Sequence, residues 1–241
     1  RPSRRRPIRR PPTPRNDPDM TLTVGALWRY PVKTLAGERL DVAEVTTNGI
    51  VGDRVVHVRG PEGVRTSRRH HNLLGLHATL GPEGEPLVDG QPWTSEDVLD
   101  RVRAAAGEDA ILARYDGPER FDVLPLLVAT DGAIASFGRD VRRLRPNIVI
   151  DGVEGTEEFG WPGAQLHIGD VVIALDSRRG RCPMTTVDPD TLEVDRGVLK
   201  DIIARFDGKL ALNAEVLRPG TIRVGDSVEL VRSAATPSTV R

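Results

Sequence analysis

The chain has 241 residues, a single cysteine, 29% charged residues and a formal net charge of -1. That length can bury a core without staples, one thiol excludes any internal disulfide and any four-cysteine zinc or iron–sulfur site, and the balanced charge removes a global field for nucleic acid. No apolar stretch is long enough to cross a bilayer and the first residues lack the apolar core of a secretory signal, so the expectation is a soluble, cytoplasmic protein without nucleic-acid or membrane partners.

Residues 1–20 are almost wholly Arg, Pro and small polar residues, which cannot bury enough apolar surface to offset chain entropy. They read as a disordered arm, with Met20 as a candidate start, and residues 233–241 read as a disordered tail. From Thr21 onward the pattern is short alternating runs: "TLTVGALWRYPV", "ERLDVAEVTTNGIVGDRVVHVRG", "RPNIVIDGV", "AQLHIGDVVIALD" and "AEVLRPGTIRVGDSVEL". Period-two apolar spacing, β-branched residues and Gly-Asp turns predict strands and a mainly β fold. Three short helices are expected among them. "SEDVLDRVRAAAG" opens on Ser95 as N-cap and stops at Gly107, and "TDGAIASFGRD" and "GVLKDIIARFDGK" supply the others. The turn-rich "GPEGEPLVDGQPWT" ahead of the first helix suggests two domains, 21–105 and 106–232.

Four stretches carry polar groups that a plain β core does not need: "RYPVKT", "GIVGDR", "RRLRPN" and "GRCPMTTVDPDT". Each sets cationic or hydroxyl side chains beside a Gly or Pro turn, where backbone amides and Arg forks can hold phosphate. Taken singly, each is ordinarily solvated surface. The lone thiol, Cys182, stands among Arg178, Arg179 and Arg181, a setting that favours thiolate over thiol. Asp53 reads as a turn carboxylate that pins Arg54. Adjacent His70 and His71 on a strand would point to opposite faces, which argues against a metal pair.

In order and wording these stretches resemble the MOSC family, named for the C-terminal domain of molybdenum cofactor sulfurase. The arrangement is the one with its own N-terminal β-barrel domain, shared by the mitochondrial amidoxime reducing component and its bacterial relatives. The resemblance runs from about Leu22 to Val231. It implies a β-barrel MOSC domain preceded by a smaller β-barrel-like domain. It also implies a molybdenum cofactor, Mo-molybdopterin, with Cys182 as the metal ligand and catalytic residue. Lys33 and Thr34 match a position that touches the pterin or its phosphate; Arg54, Arg145 and Asn147 match cofactor contacts, Arg181 adjoins the ligand, and Thr66 and Arg68 fall in a polar Thr-x-Arg segment. Asn213 stands where the reductases often carry Tyr. With no cysteine left for an iron–sulfur cluster, a redox role requires a separate electron donor protein beside a small-molecule substrate. Three readings stay open: an oxidoreductase that reduces N-hydroxylated small molecules, which is favoured; a carrier that holds sulfur as a persulfide or delivers the cofactor from the same Cys; and a binding module that keeps the barrel without the metal, with Cys182 a packing residue.

Overall fold

The computed structural model describes residues 21–115, 117 and 120–232; both expected disordered ends lie outside these residues. The first half carries strands β1 (Leu22–Arg29), β2 (Val32–Lys33), β3 (Glu38–Leu40), β4 (Val42–Thr46), β5 (Gly49–Ile50), β6 (Val56–Gly60), β7 (Gly63–Val64), β8 (Ala78–Leu80), β9 (Pro86–Val88), β10 (Gln91–Pro92) and β11 (Ile111–Arg114). The second carries β12 (Leu126–Thr130), β13 (Ile148–Asp151), β14 (Ala164–Ile168), β15 (Val171–Gly180), β16 (Lys209–Arg218), β17 (Gly220–Arg223) and β18 (Ser227–Arg232). Helices α1 (Glu96–Ala106), α2 (Asp131–Phe137) and α3 (Arg196–Phe206) fall where capping chemistry puts them. Ser95, Thr130 and Asp195 each accept a hydrogen bond from a first-turn backbone N–H. The chain is therefore mainly β with three short α-helices among the described residues.

Seven strands close a barrel in the order β13-β12-β16-β15-β14-β18-β1, with β1 returning to pair β13. The first strand thus completes a barrel whose other members all follow residue 106, and Val24, Leu27, Val45 and Ile50 share its core with Ile148, Leu166, Ile173 and Leu212. On β1 the inward residues are Val24 and Leu27, three apart, because a bulge shifts the register between Val24 and Ala26. Gly25 is required there: a Cβ would lie 2.1 Å from the Asp151 carboxylate. The twin "IGD" and "VGD" turns join β14 to β15 and β17 to β18, with Gly169 and Gly225 at positive φ.

A second core lies between the sheet β11-β6-β2, the hairpin strands β8–β10 and α1, built on Val32, Val56, Leu73, Val98 and Val102. A third, smaller one packs α2 on α3 through Phe137, Ile202 and Phe206. The strand expected around the two histidines is instead a 3-10 helix, His71–Gly75, so the two-face argument for His70 and His71 does not apply. Among the described residues no group of three or more His, Cys, Asp or Glu could hold a metal, and no helix is long and apolar enough to cross a membrane.

Candidate functional site

A cleft with about 820 Å³ of empty space opens between the second core and the barrel. All nine residues singled out in the sequence line it: Lys33, Thr34, Arg54, Thr66, Arg68, Arg145, Asn147, Arg181 and Cys182. They arrive from five separate places, the end of β2, the turn before β6, the segment after β7, the connection into β13 and the end of β15. Three of them, Thr34, Arg54 and Arg145, have left-handed backbone, with φ of 88°, 56° and 57°. Non-glycine residues in that region cost about 1–3 kcal/mol each, and such strain concentrates where geometry serves a site.

Tyr30 organises the cationic floor. Its ring lies between Arg145 at 4.1 Å and Arg54 at 5.0 Å, and its hydroxyl donates to Pro146 O at 3.1 Å. Burial pushes that hydroxyl up to about 12, so it acts as a neutral donor. Asp53, fully buried, accepts from Tyr30 N at 2.7 Å and pairs with Arg54, fixing the arginine as the turn sequence suggested. Arg145 is 7% exposed, and among the described residues its guanidinium makes no hydrogen bond or ion pair. Burial pulls it down to about 10, which leaves it a cation at neutral pH. Its nitrogens are not among the fully enclosed polar atoms left without a hydrogen bond, so they open onto the cleft, where an anion entering from outside would make this cation's first ion pair.

Across the cleft Lys33 donates to Arg120 O at 3.0 Å and pairs with Asp122 at 2.9 Å. Asp122 also meets Arg179 at 3.0 Å and Arg68 at 3.4 Å. Burial pushes the Asp122 carboxyl up, but the hydrogen bond and charge of Lys33, with Arg179 and Arg68, outweigh it and hold the group below the usual carboxylate range. Six cationic side chains, Lys33, Arg54, Arg68, Arg145, Arg179 and Arg181, therefore face one carboxylate among the lining residues. Asn147 is largely structural: its Oδ1 accepts from Leu127 N and its Nδ2 donates to Trp28 O, tying β12 and β1 to the start of β13.

Cys182 follows β15 and sits just ahead of the 3-10 helix Pro183–Thr186. The Thr-Thr pair closes this turn: Thr185 N and Oγ1 donate to Cys182 O at 3.1 and 2.9 Å, and Thr186 Oγ1 donates to Pro183 O. The following Val-Asp-Pro-Asp-Thr run is a clamp. Asp188 accepts from the backbone N–H groups of Asp190 and Thr191, and its other oxygen takes Arg143 at 2.7 Å. Arg181 is anchored by its side chain on Leu144 O at 2.7 Å and by its N–H on Gly208 O, while its buried Nε has no partner. Of the three arginines flanking Cys182, Arg178 turns away, stacking on Phe159 at 3.7 Å and donating to Phe206 O and Lys209 O.

The sequence reading missed Asp122 and Met184 as lining residues, since "FDVLP" and a lone Met carry no local pattern. Asn213 lines the cleft too, accepting from Arg179 at 3.4 Å and donating to Ser177 Oγ at 3.1 Å. Beneath it lies Glu158, fully buried, with Oε1 accepting from Ala211 N at 3.0 Å and Oε2 without a partner. Burial pushes Glu158 up to about 7, against the lowering influence of the neighbouring Thr130, the Ala211 N–H and the Arg178 charge. The folded state then holds this proton more tightly than the unfolded chain, so the group's contribution to stability falls as pH rises from about 4.5 through about 7. Glu158→Gln keeps the acceptor for Ala211 and cannot ionise. Denaturant titrations at pH 5 and pH 8 are expected to show the parent losing about 2–3 kcal/mol more than the variant across that interval.

Fold and cleft together define a β-barrel protein with a cationic pocket around one thiol. Family models match as follows: MOSC domain over residues 131–229, and MOSC N-terminal beta barrel domain over residues 21–108. The chain is 31% identical to mitochondrial amidoxime-reducing component 1 of Homo sapiens over 283 residues, covering 87% of this chain and 83% of that protein. A shorter region, 34% identical over 70 residues and covering 29% of this chain and 9% of the other, is similar to molybdenum cofactor sulfurase 2 of Culex quinquefasciatus. Its fold is similar to that of the YUAD protein from Bacillus subtilis, with a TM-score of 0.51 at 12% identity, covering 89% of this chain and 98% of that one. The chain belongs to the MOSC family, and its relatives associate it with molybdenum-cofactor proteins.

Proposed function

We propose that the cleft holds a molybdenum cofactor and that the chain reduces N-hydroxylated small molecules. The observation that carries this reading is Arg145, a largely buried cation without a hydrogen bond or ion pair to its guanidinium among the described residues, set in a cationic cleft beside the chain's one thiol. A phosphate monoester, close to two negative charges at neutral pH, suits Lys33, Arg54 and Arg145, with Arg179 and Arg181 able to meet further anionic or acceptor groups. Thr34, beside Lys33, offers a hydroxyl to the same ligand. Molybdenum takes soft thiolate ligands, which fits Cys182. When bound, the cofactor supplies exchange of two electrons and an oxygen atom at its metal.

The chain's own residues place and hold. Thr185 and Thr186 fix the turn that presents Cys182, and Arg143 with Asp188 clamps the loop after it. Thr66 and Arg68 line the same cleft, Arg68 exposed and paired with Asp122, and these three groups would meet a small polar substrate. Converting an N–OH group to N–H and water takes two electrons and two protons. One cysteine cannot hold a four-thiolate cluster, so a separate donor protein supplies the electrons. The relatives' names carry a mitochondrial address; for this chain the reading requires only a reducing compartment such as the cytoplasm, where Cys182 stays free.

The test is expression in a host that makes molybdopterin, metal analysis by mass spectrometry, pterin fluorescence after oxidation, and turnover of an N-hydroxylated amidine with reduced viologen as electron source. Near-stoichiometric molybdenum and pterin with steady turnover are expected. Stoichiometric release of sulfur or cofactor without turnover would replace the reductase with the carrier, and absence of both metal and pterin would overturn the reductase and leave a sulfur carried on Cys182 or a module without the metal.

A further inference from the structure

Most of the cations that line the cleft already have a carboxylate. Arg54 pairs with Asp53, and Lys33, Arg68 and Arg179 all converge on Asp122, whereas Arg145 and Arg181 have none among the described residues. One side chain therefore matches three charges. The loop that presents Asp122 is fastened at its start: Lys33 donates to Arg120 O at 3.0 Å, and Arg120 donates to Asn48 O at 2.7 Å and stacks on Phe121 at 4.6 Å. An ionised carboxylate offers about four acceptor positions. Three are taken here, Oδ1 by Lys33 and Oδ2 by Arg68 and Arg179. The side chain keeps 33% exposure, so a further donor can reach it. Its neighbours Phe121, Val123 and Leu124 line the same cleft and add apolar surface beside the carboxylate.

We propose that Asp122 masks a second anion site and sets the charge selection of the cleft: one anionic group is accepted around Arg145, and the space beside Asp122 is reserved for an uncharged group that donates a hydrogen bond. Without the carboxylate, Lys33, Arg68 and Arg179 would be three converging cations with no counter-charge, the composition of a phosphate cradle. With it, a second anion must displace a group already held by three cations. An N–H or O–H donor on a small apolar body instead meets an open acceptor position and an apolar wall. That this donor belongs to an N-hydroxylated substrate rests on the function proposed above; the charge selection does not.

The probe is inorganic phosphate, titrated by calorimetry and phosphorus-31 NMR into protein from a host that makes no molybdopterin. The parent is expected to bind one phosphate and Asp122→Asn two, the second no more than tenfold weaker than the first. Asp122→Ser should do the same. Glu62→Gln, which removes an exposed carboxylate outside the cleft lining, should stay at one. The hydrogen-bonding half is read with benzamide, a neutral N–H donor, and benzoate, its anionic isostere, with the first site filled by phosphate. The ratio of benzamide to benzoate affinity is expected to fall at least tenfold in Asp122→Asn. Two phosphates in the parent, no additional phosphate in the Asp122 variants, or a second in Glu62→Gln would overturn the masked site; an unchanged ratio would overturn the reservation for a donor. No phosphate in the parent but one in Asp122→Asn would remove the anion around Arg145 and leave the masked site standing.

Discussion

Cys182→Ala is expected to strip molybdenum from the purified protein by more than tenfold while leaving most of the pterin in place. The two effects separate because the proposed anion contacts and the proposed metal contact belong to different residues. Among the described residues Lys33, Arg54 and Arg145 make no hydrogen bond to the thiol's backbone turn, whose hydrogen bonds run through Cys182 O and survive the substitution. The thiol itself makes no cap hydrogen bond and is only part-buried, so its loss should change stability by no more than about 1 kcal/mol. Cys182→Ser is expected to behave similarly, since a serine hydroxyl is neither ionised at neutral pH nor soft. Metal and pterin measured on the same samples decide it: molybdenum retained in Cys182→Ala removes the thiolate ligand, and pterin lost along with it makes Cys182 a folding residue.

The chemistry-bearing stretches were readable because each writes its local geometry in Gly, Pro, Thr and Asp. "VGDR" places Arg54 after a glycine turn, "RCPMTT" closes on its own hydroxyls, and "VDPDT" folds back on Asp188. Helix ends were readable for the same reason, through Ser95 and Gly107. What local sequence does not carry is long-range registry. Nothing in "TLTVGALWRYPV" announces that its strand pairs β13, more than a hundred residues on, and closes a barrel lying otherwise beyond residue 106. The β15–β16 ladder has irregularities near Ser177 and Gly180, and beside them Arg179 reaches Asp122 and Asn213 in the cleft while Arg178 stacks on Phe159. Asn147 illustrates the converse: a motif residue whose amide is engaged by the scaffold, so that its presence in the pattern reflects the joining of strands at least as much as contact with a ligand.

Arg145→Met is expected to move stability and cofactor content in opposite directions. In the cofactor-free chain Arg145 is a desolvated cation held by cation–π contact and by the more distant charges of Asp53 and Asp122, without a direct ion pair among the described residues. Replacing a buried, poorly compensated charge with an apolar side chain of similar length removes its desolvation penalty and keeps packing against Tyr30, a gain of about 1–3 kcal/mol. The same substitution removes the central cation from the anion cradle, and pterin content should fall at least tenfold, about 1.4 kcal/mol or more of binding. Arg145→Lys should recover little, because an ammonium cannot reproduce a guanidinium fork stacked on a ring. A denaturant midpoint on cofactor-free protein, paired with pterin content after expression, separates the explanations. A raised midpoint with lost pterin means that the cation is kept for an anion that the chain does not itself supply. A lowered midpoint means that Arg145 is a structural residue whose left-handed backbone and stacking hold the connection into β13, and the case for an anion at this position would then rest on Lys33, Arg54 and Arg181 alone.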